Sequence, residues 1–286
     1  MIGKFLLWYL RNSPVEKKKY LIERHLKGFL PSKEIKENYT NPHGITFWID
    51  NSDFVMNKIY TRGVYERNTI RHLMRLIKDS KGVMIDCGAN IGLYSLYFSR
   101  YAPAATIHAF EPIKRTLDIF KKNIELNHAA NIIVNQLGLS NRTGELDLFI
   151  VEEENYGRTS ENNSGGEGKK LTVPIDTLDN YCRKNNIQEV SCIKVDIEGG
   201  ELNFLKGAEG VISRSRKVVL VVEINECSYG SGYSPEDLFD FIVKLGFSPF
   251  IERDYPFPMK KINALNGYRG NVIFLKGDRE YGKFSS

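Results

Sequence analysis

Val83-Met84-Ile85-Asp86-Cys87-Gly88-Ala89-Asn90-Ile91-Gly92 is the stretch that decides the fold of this chain. Its first residues are apolar without alternation, the pattern of a short strand buried on both faces. The glycines at 88 and 92 supply a turn in which backbone can approach a ligand closely or adopt unusual dihedrals. From Ile91 to Tyr101 the spacing becomes helical. Strand, glycine turn and helix make one unit of an open parallel sheet, and such sheets bind ligands outside the carboxyl ends of their strands.

Outward from this unit the rhythm repeats. Strand 105–110, helix 114–127 and strand 132–137 follow it; helix 176–185, strand 190–196, helix 200–213, strand 217–224, helix 235–245 and strands 248–252 and 271–275 come later. This alternation predicts a parallel sheet covered on both faces. It is interrupted by segments 145–151 and 170–175, read as a hairpin around a polar stretch, 152–169, that is expected to form a mobile lid or substrate loop. Upstream, 65–79 reads as a helix with Ile70, Leu73, Met74 and Ile77 on one face, 44–60 as short strands, and 1–37 as a helical arm. The expected organisation is an arm, 1–43, and one domain, 44–286.

Composition narrows the function. A 42% hydrophobic and 12% aromatic content supplies a core and excludes global disorder. No apolar run approaches the roughly 20 residues of a membrane span. The four cysteines show no CxxC spacing, which predicts reduced thiols, no zinc site and a cytoplasmic protein. Of the net charge of +5, residues 1–36 hold nine Lys/Arg against three Glu, so the rest of the chain is close to neutral. A general nucleic-acid surface is not expected. The basic arm, with Phe5, Leu6, Leu7, Trp8, Tyr9 and Leu10, is expected to cap the domain or a second subunit, or else to rest on an anionic membrane.

The loop chemistry can be read residue by residue. Glu111 closes the second strand 19 residues beyond Gly92, where a carboxylate can accept both hydroxyls of a ribose. A nicotinamide-dependent oxidoreductase would share that acid, but Asn90 stands where its G-x-G-x-x-G fingerprint requires glycine. Asp86 suits a ligand with a free ammonium group, such as a methionine moiety. A non-catalytic nucleoside-binding protein of the same fold is the other alternative, and the loss of Asp86, Glu111 or Asp196 would be its signature; all three are present.

A second group of acids follows strand 190–196. Lys194, Asp196 and Glu198 have period-two spacing and face one way if the strand continues. Asp196 lies at the rim and Glu223 ends the neighbouring strand, so these two are the candidates for base or substrate anchor. Lys194 is expected to pair with Glu223 and stabilise the sheet, and His108 to be a satisfied core histidine. A divalent ion on Asp196 and Glu198 would have oxygen ligands, but no Asp/Asn cluster completes a shell, so no metal site is assigned.

Taken together, residues 83–95 with Gly63-Val64-Tyr65-Glu66, Ala109-Phe110-Glu111-Pro112, Asn123-Ile124-Glu125-Leu126-Asn127 and Ile193-Lys194-Val195-Asp196-Ile197-Glu198-Gly199-Gly200-Glu201 resemble the ordered motifs of FkbM-type methyltransferases. Pro174 to Asp179 and Val221 to Ile224 resemble the family's intervening and following segments, and the likeness runs over about 44–275. It implies a class I methyltransferase (Rossmann-like) α/β fold, a three-layer sandwich whose seven-stranded, mostly parallel sheet has an antiparallel last strand. It also implies S-adenosyl-methionine as cofactor and O-methylation of a hydroxyl on a sugar, glycan or related metabolite. By motif position, Asp86, Gly88, Asn90 and Gly92 surround the methionine part of the cofactor, Glu111 takes the ribose, Leu139 and Ser140 lie near the adenine, and Glu66 is a further cofactor-binding residue.

Overall fold

The computed structural model describes residues 2–13, 35–150, 169–226, 232–254 and 257–277, with 19, 21–22, 25–26 and 159–160. The elements are α1 (Ile2–Asn12), β1 (Lys36–Thr40), β2 (Thr46–Asp50), α2 (Phe54–Arg62), α3 (Arg67–Ile77), β3 (Val83–Cys87), α4 (Leu93–Tyr101), β4 (Thr106–Phe110), α5 (Lys114–Asn127), β5 (Ile132–Asn135), β6 (Gly138–Leu139), β7 (Gly144–Ile150), β8 (Thr159–Ser160), β9 (Lys169–Asp176), α6 (Leu178–Lys184), β10 (Cys192–Val195), α7 (Glu201–Lys206), α8 (Glu209–Arg214), β11 (Val218–Ile224), α9 (Pro235–Lys244), β12 (Ser248–Ile251), β13 (Lys260–Lys261) and β14 (Gly270–Lys276).

The main sheet runs β13-β12-β14-β11-β10-β3-β4-β5. Strands β5, β4, β3, β10 and β11 are parallel, and β14 enters antiparallel between β11 and β12. The seven expected strands are all present, the last one antiparallel; the two-residue β13 extends the edge to eight. Successive residues of the central strands point to opposite layers, as the pleat requires. Met84, Cys192, Val219 and Val221 join the core beneath α3 and α4, whereas Ile85, Ile193, Leu220 and Val222 join the core beneath α6, α7, α8 and α9. That is the three-layer α/β sandwich of the class I methyltransferase type.

Three expectations need correction. Residues 54–62 form helix α2 rather than a strand, because Asp53 caps it by accepting a hydrogen bond from Met56 N and Gly63, at φ 77°, stops it. The helix expected over 200–213 is two, broken at Gly207, where a Cβ would stand 2.1 Å from the carbonyl oxygen of Ser140. The strand expected over 132–137 ends at Asn135, and β6 joins a second sheet, ordered β6-β9-β7-β8, in which β7 and β9 pair antiparallel as the expected hairpin. Most of the 152–169 loop and of the helix expected over 15–29 lies outside the described residues.

The arm is tied to the domain. β1 pairs antiparallel with β2, Arg11 Nε donates to Tyr60 O at 3.0 Å, and Arg67 donates back to Arg11 O at 2.7 Å. Leu6 and Leu10 of α1 are buried, while Ile2, Phe5 and Trp8 are each about 60% exposed.

Candidate active site

The loop between β3 and α4 is held by left-handed residues: Gly88 at φ 79°, Asn90 at 50° and Gly92 at 88°. A Cβ on Gly88 would lie 1.9 Å from the carbonyl oxygen of Asp196, so glycine there lets the loop press against the end of β10. Asp196 N donates to Cys87 O at 3.0 Å and locks the same contact from the other side. A Cβ on Gly92 would strike the Phe120 ring at 2.1 Å, so this glycine serves the packing of α5.

Motif membership and cavity contact are therefore different things. Asp86 is buried, and its Oδ2 accepts hydrogen bonds from Ser95 N at 2.9 Å and Ser95 Oγ at 2.6 Å. Burial pushes its carboxyl up to about 6 against those bonds and the nearby Lys194. Asp86 thus ties the end of β3 to the first turn of α4. Neither Asp86 nor Gly92 reaches the cavity wall, whereas Gly88 and Asn90 line it. Of the four, Gly88 and Asn90 are the ones that line the cavity, while Asp86 and Gly92 stand behind it.

Glu111 follows β4 and completes the loop. Its Oε2 accepts from Asn90 N and its Oε1 from Ile113 N, both at 2.9 Å. Burial pushes this carboxyl up to about 7, opposed by those backbone bonds and Thr116. A carboxylate offers about four lone-pair sites, so Glu111 keeps acceptor capacity for a hydroxyl beyond these donors.

The cavity measures about 510 Å³, within the range of cofactor sites. One part of its wall is apolar, with Ile113, Leu137 and Leu139 facing Leu146 and Leu148 of β7 and Val173 and Ile175 of β9. Ser140 is not on that wall: its N–H donates to Asp176 O at 2.9 Å, and its carbonyl abuts Gly207. The other part carries Glu66, Asp196, Glu198, Glu223 and Asn225, with Phe54 and Tyr65 beside them.

The carboxylate end is denser than the sequence suggested. Asp196, Glu198 and Glu223 each place an oxygen within 4.8 Å of the others, a geometry that could hold a divalent ion. Positive charge is already present there. Lys194 is fully buried, and its Nζ stands 3.4 Å from Asp196 Oδ2, 3.1 Å from Asn271 Oδ1 and 5.0 Å above the Tyr94 ring. Its ion pair is with Asp196 rather than with the expected Glu223. Burial disfavours its charge, but Asp196, Glu66, Glu223 and Asp86 outweigh this and hold its pKa above the usual lysine value. Glu223 is pushed up to about 8 by burial and the adjacent Asp196, although Lys194 opposes the shift.

Glu66 reaches the same part of the wall from a different segment of the chain, at φ 50° just before α3. It accepts from Asn271 Nδ2 at 2.8 Å and from the Tyr94 hydroxyl. Sequence reasoning missed Phe54 and Val55 because α2 was read as a strand, and it quoted Tyr65 in a motif without giving it a place in the site. It also passed over Leu146, Leu148, Val173 and Ile175, whose alternation along β7 and β9 was the available signal.

The residues present fit an S-adenosyl cofactor. The apolar wall suits a purine, Glu111 suits hydroxyl donors, and Asn90, which lines the cavity, has a buried Oδ1 without a hydrogen-bond partner among the described residues. Fold and site together define a class I, S-adenosyl-methionine-dependent methyltransferase. Residues 86–249, more than half of the chain, match the family described as the methyltransferase FkbM domain. The chain belongs to that family. Methyltransferase sdnD of Sordaria araneosa is 29% identical over 188 residues, 55% of this chain and 73% of that protein. Hexuronic acid methyltransferase AglP of Haloferax volcanii is 27% identical over 188 residues, covering 66% of this chain and 72% of that one. The 31-O-demethyl-FK506 methyltransferase FkbM of Streptomyces tacrolimicus is 24% identical over 221 residues, covering 66% and 82%.

Proposed function

We propose that this methyltransferase acts on a hydroxyl of a sugar, glycan or related metabolite, with Asp196 as proton acceptor and Glu223 as acceptor anchor. The observation that carries the reading is the meeting of Asp196 and Glu223 with Glu198 at one end of a cavity whose other end is apolar. The bound cofactor supplies a methyl group on a sulfonium, the electrophile of an in-line displacement. Leu139, Leu146, Leu148 and Val173 would enclose its purine, Glu111 its ribose, and Gly88, Asn90 and Glu66 its methionine end. Asp86, Gly92 and Ser140 act on the cofactor only through the backbone they hold.

Asp196 keeps a third of its side chain accessible, so an acceptor hydroxyl can reach it and pass its proton to Oδ1 or Oδ2. Burial and the adjacent Asp196 push the Glu223 carboxyl up, which favours the neutral acid, a form that can donate a hydrogen bond to a neighbouring acceptor oxygen. Carboxylates and an amide beside the Phe54 and Tyr65 rings suit a polyhydroxyl ring with an apolar face. The relatives named for a hexuronic acid and for 31-O-demethyl-FK506 support a hydroxyl-bearing acceptor.

The test supplies radiolabelled cofactor and host polysaccharide precursors to the purified protein. Label is expected in a sugar fraction as an acid-stable methyl ether, and Asp196→Asn should lower turnover about 10²-fold. Its affinity for S-adenosyl-homocysteine should stay within about twofold, since a base contributes to the step rather than to binding. Unchanged turnover in Asp196→Asn would remove it as the base, and label confined to protein or nucleic acid would remove the sugar.

We infer in addition that α1 rests on an anionic membrane. Its exposed face bears Ile2, Phe5 and Trp8, with Phe5 and Trp8 stacked at 6.1 Å, and the helix has Lys4 and Arg11 but no acid. Interfacial aromatics beside a segment with nine cations and three acids fit lipid headgroups better than a second copy of the same basic arm. No described helix is long and apolar enough to cross a membrane. Phosphatidylglycerol vesicles at low salt should carry the protein in flotation, and Phe5→Ser/Trp8→Ser should abolish it. Failure to float, or self-association that the double variant abolishes, would overturn the membrane reading.

A further inference from the structure

Two cavity carboxylates contributed by distant parts of the chain are joined behind the wall by a line of buried side chains. Glu66 lies in the turn before α3, and Asp196 lies after β10. Between them, Asn271 Nδ2 donates to Glu66 Oε1 at 2.8 Å, and Asn271 Oδ1 accepts from Lys194 Nζ at 3.1 Å. Lys194 Nζ reaches Asp196 Oδ2 at 3.4 Å. The Tyr94 hydroxyl donates to the second oxygen of Glu66, while its ring lies under the Lys194 ammonium at 5.0 Å.

Tyr94, Lys194 and Asn271 are all buried, and none of them lines the cavity. An ammonium in the centre of a parallel sheet is costly unless it is paired and hydrogen-bonded. A core that needed only volume at this position would be served better by an apolar side chain. The asparagine amide also has a fixed sense, since only its nitrogen can donate to Glu66 and only its oxygen can accept from the ammonium. Each carboxylate is therefore oriented by the same set of groups, and the set spans the sheet from β10 to β14 and up to α4.

We propose that Lys194, Asn271 and Tyr94 are positioning residues that orient Glu66 and Asp196 as one unit toward the methyl-transfer end of the cavity. Tyr94 and Asn271 act on the cofactor through Glu66, and Lys194 acts on turnover through Asp196. The second half rests on the reading of Asp196 as base; the first does not.

The test is a pair of double-mutant cycles on the full chain. Tyr94→Phe keeps the ring and removes one hydroxyl; it should weaken S-adenosyl-homocysteine binding by calorimetry about tenfold, the effect of losing one hydrogen bond to a charged group. Adding it to Glu66→Gln should weaken binding no further than Glu66→Gln alone. Lys194→Met should lower kcat about tenfold or more with acceptor KM within about twofold, and Lys194→Met/Asp196→Asn should be no slower than Asp196→Asn. Additive losses in the Tyr94–Glu66 cycle would overturn the proposal, because independent packing defects add. Should Lys194→Met fail to fold, Asn271→Leu in the Glu66 cycle decides in the same way. If Asp196→Asn alone keeps full turnover, the base assignment falls, while the Glu66 cycle still tests the positioning set.

Discussion

At the scale of single residues, Glu111 is the group whose chemistry is most open to measurement. It accepts two backbone hydrogen bonds and is buried, with its carboxyl pushed up to about 7. Ribose hydroxyls donate more strongly to the carboxylate than to the neutral acid. A ligand that prefers the ionised form must therefore bind more weakly as the pH falls through 7. We expect the dissociation constant for S-adenosyl-homocysteine to rise on acidification from pH 8 to pH 6, by up to about tenfold for one proton over one pH unit. Glu111→Gln should bind weakly and lose this pH dependence. Calorimetry across that range checks both, and a wild-type affinity independent of pH would remove Glu111 from the ribose. Asp86 has a similar raised pKa but lies outside the cavity, so Asp86→Asn should leave the pH dependence in place.

At the scale of elements, what could be read from the sequence followed from how local the cause was. The β3–loop–α4 unit was legible because strand, glycines and helix are contiguous and the loop's left-handed positions fall at Gly88, Asn90 and Gly92. Glu111 was legible as a strand-end acid. Helix α2 was not, since aromatic and β-branched residues in 54–60 imitate a strand and the deciding features are one cap at Asp53 and one stop at Gly63. The apolar wall from β7 and β9 was missed although its two-residue period was visible, because nothing local shows which face of a hairpin looks into a cavity. The partner of Lys194 was also misjudged. Register alone puts Lys194 opposite Val221 on β11, two residues short of Glu223, while its long stem carries Nζ to Asp196 and Asn271. Side-chain reach, rather than strand period, settled that pairing. The arm divided along its axis: Leu6 and Leu10 cap the domain, and the opposite face stays uncovered.

At the scale of the whole molecule, the carboxyl edge of the sheet and its flank gather acids whose pKa values burial raises. Glu223 is pushed up to about 8, Glu111 to about 7, and Glu252 to about 7, the last against a hydrogen bond from Thr69. In the unfolded chain each returns to about 4.5, so above that value the folded form holds protons that the unfolded form has released. Stability conferred by such groups is complete at low pH and is lost as the pH rises through the folded values. The histidines act in the opposite sense. Burial holds His43, His72 and His108 below 6.5, so their contribution grows with pH and is complete above 6.5. Between pH 6.5 and pH 8 the growth of the histidine contribution fades out, and the three carboxyls, two with folded values near 7 and one near 8, outweigh its remainder. The ligand-free protein should therefore melt at a lower temperature at pH 8 than at pH 6.5, each titrating group contributing a slope of at most about 1.4 kcal/mol per pH unit. Glu223→Gln, which keeps the shape and cannot ionise, should flatten the decline at its upper end and raise the melting temperature at pH 8. Scanning calorimetry at fixed ionic strength measures both, and a wild-type melting temperature that holds or climbs over this interval would mean that these carboxyls are ionised in the folded protein. In that case Glu223 could not donate a hydrogen bond to an acceptor, and the anchoring would have to pass to Asn225 or Tyr65 on the same wall.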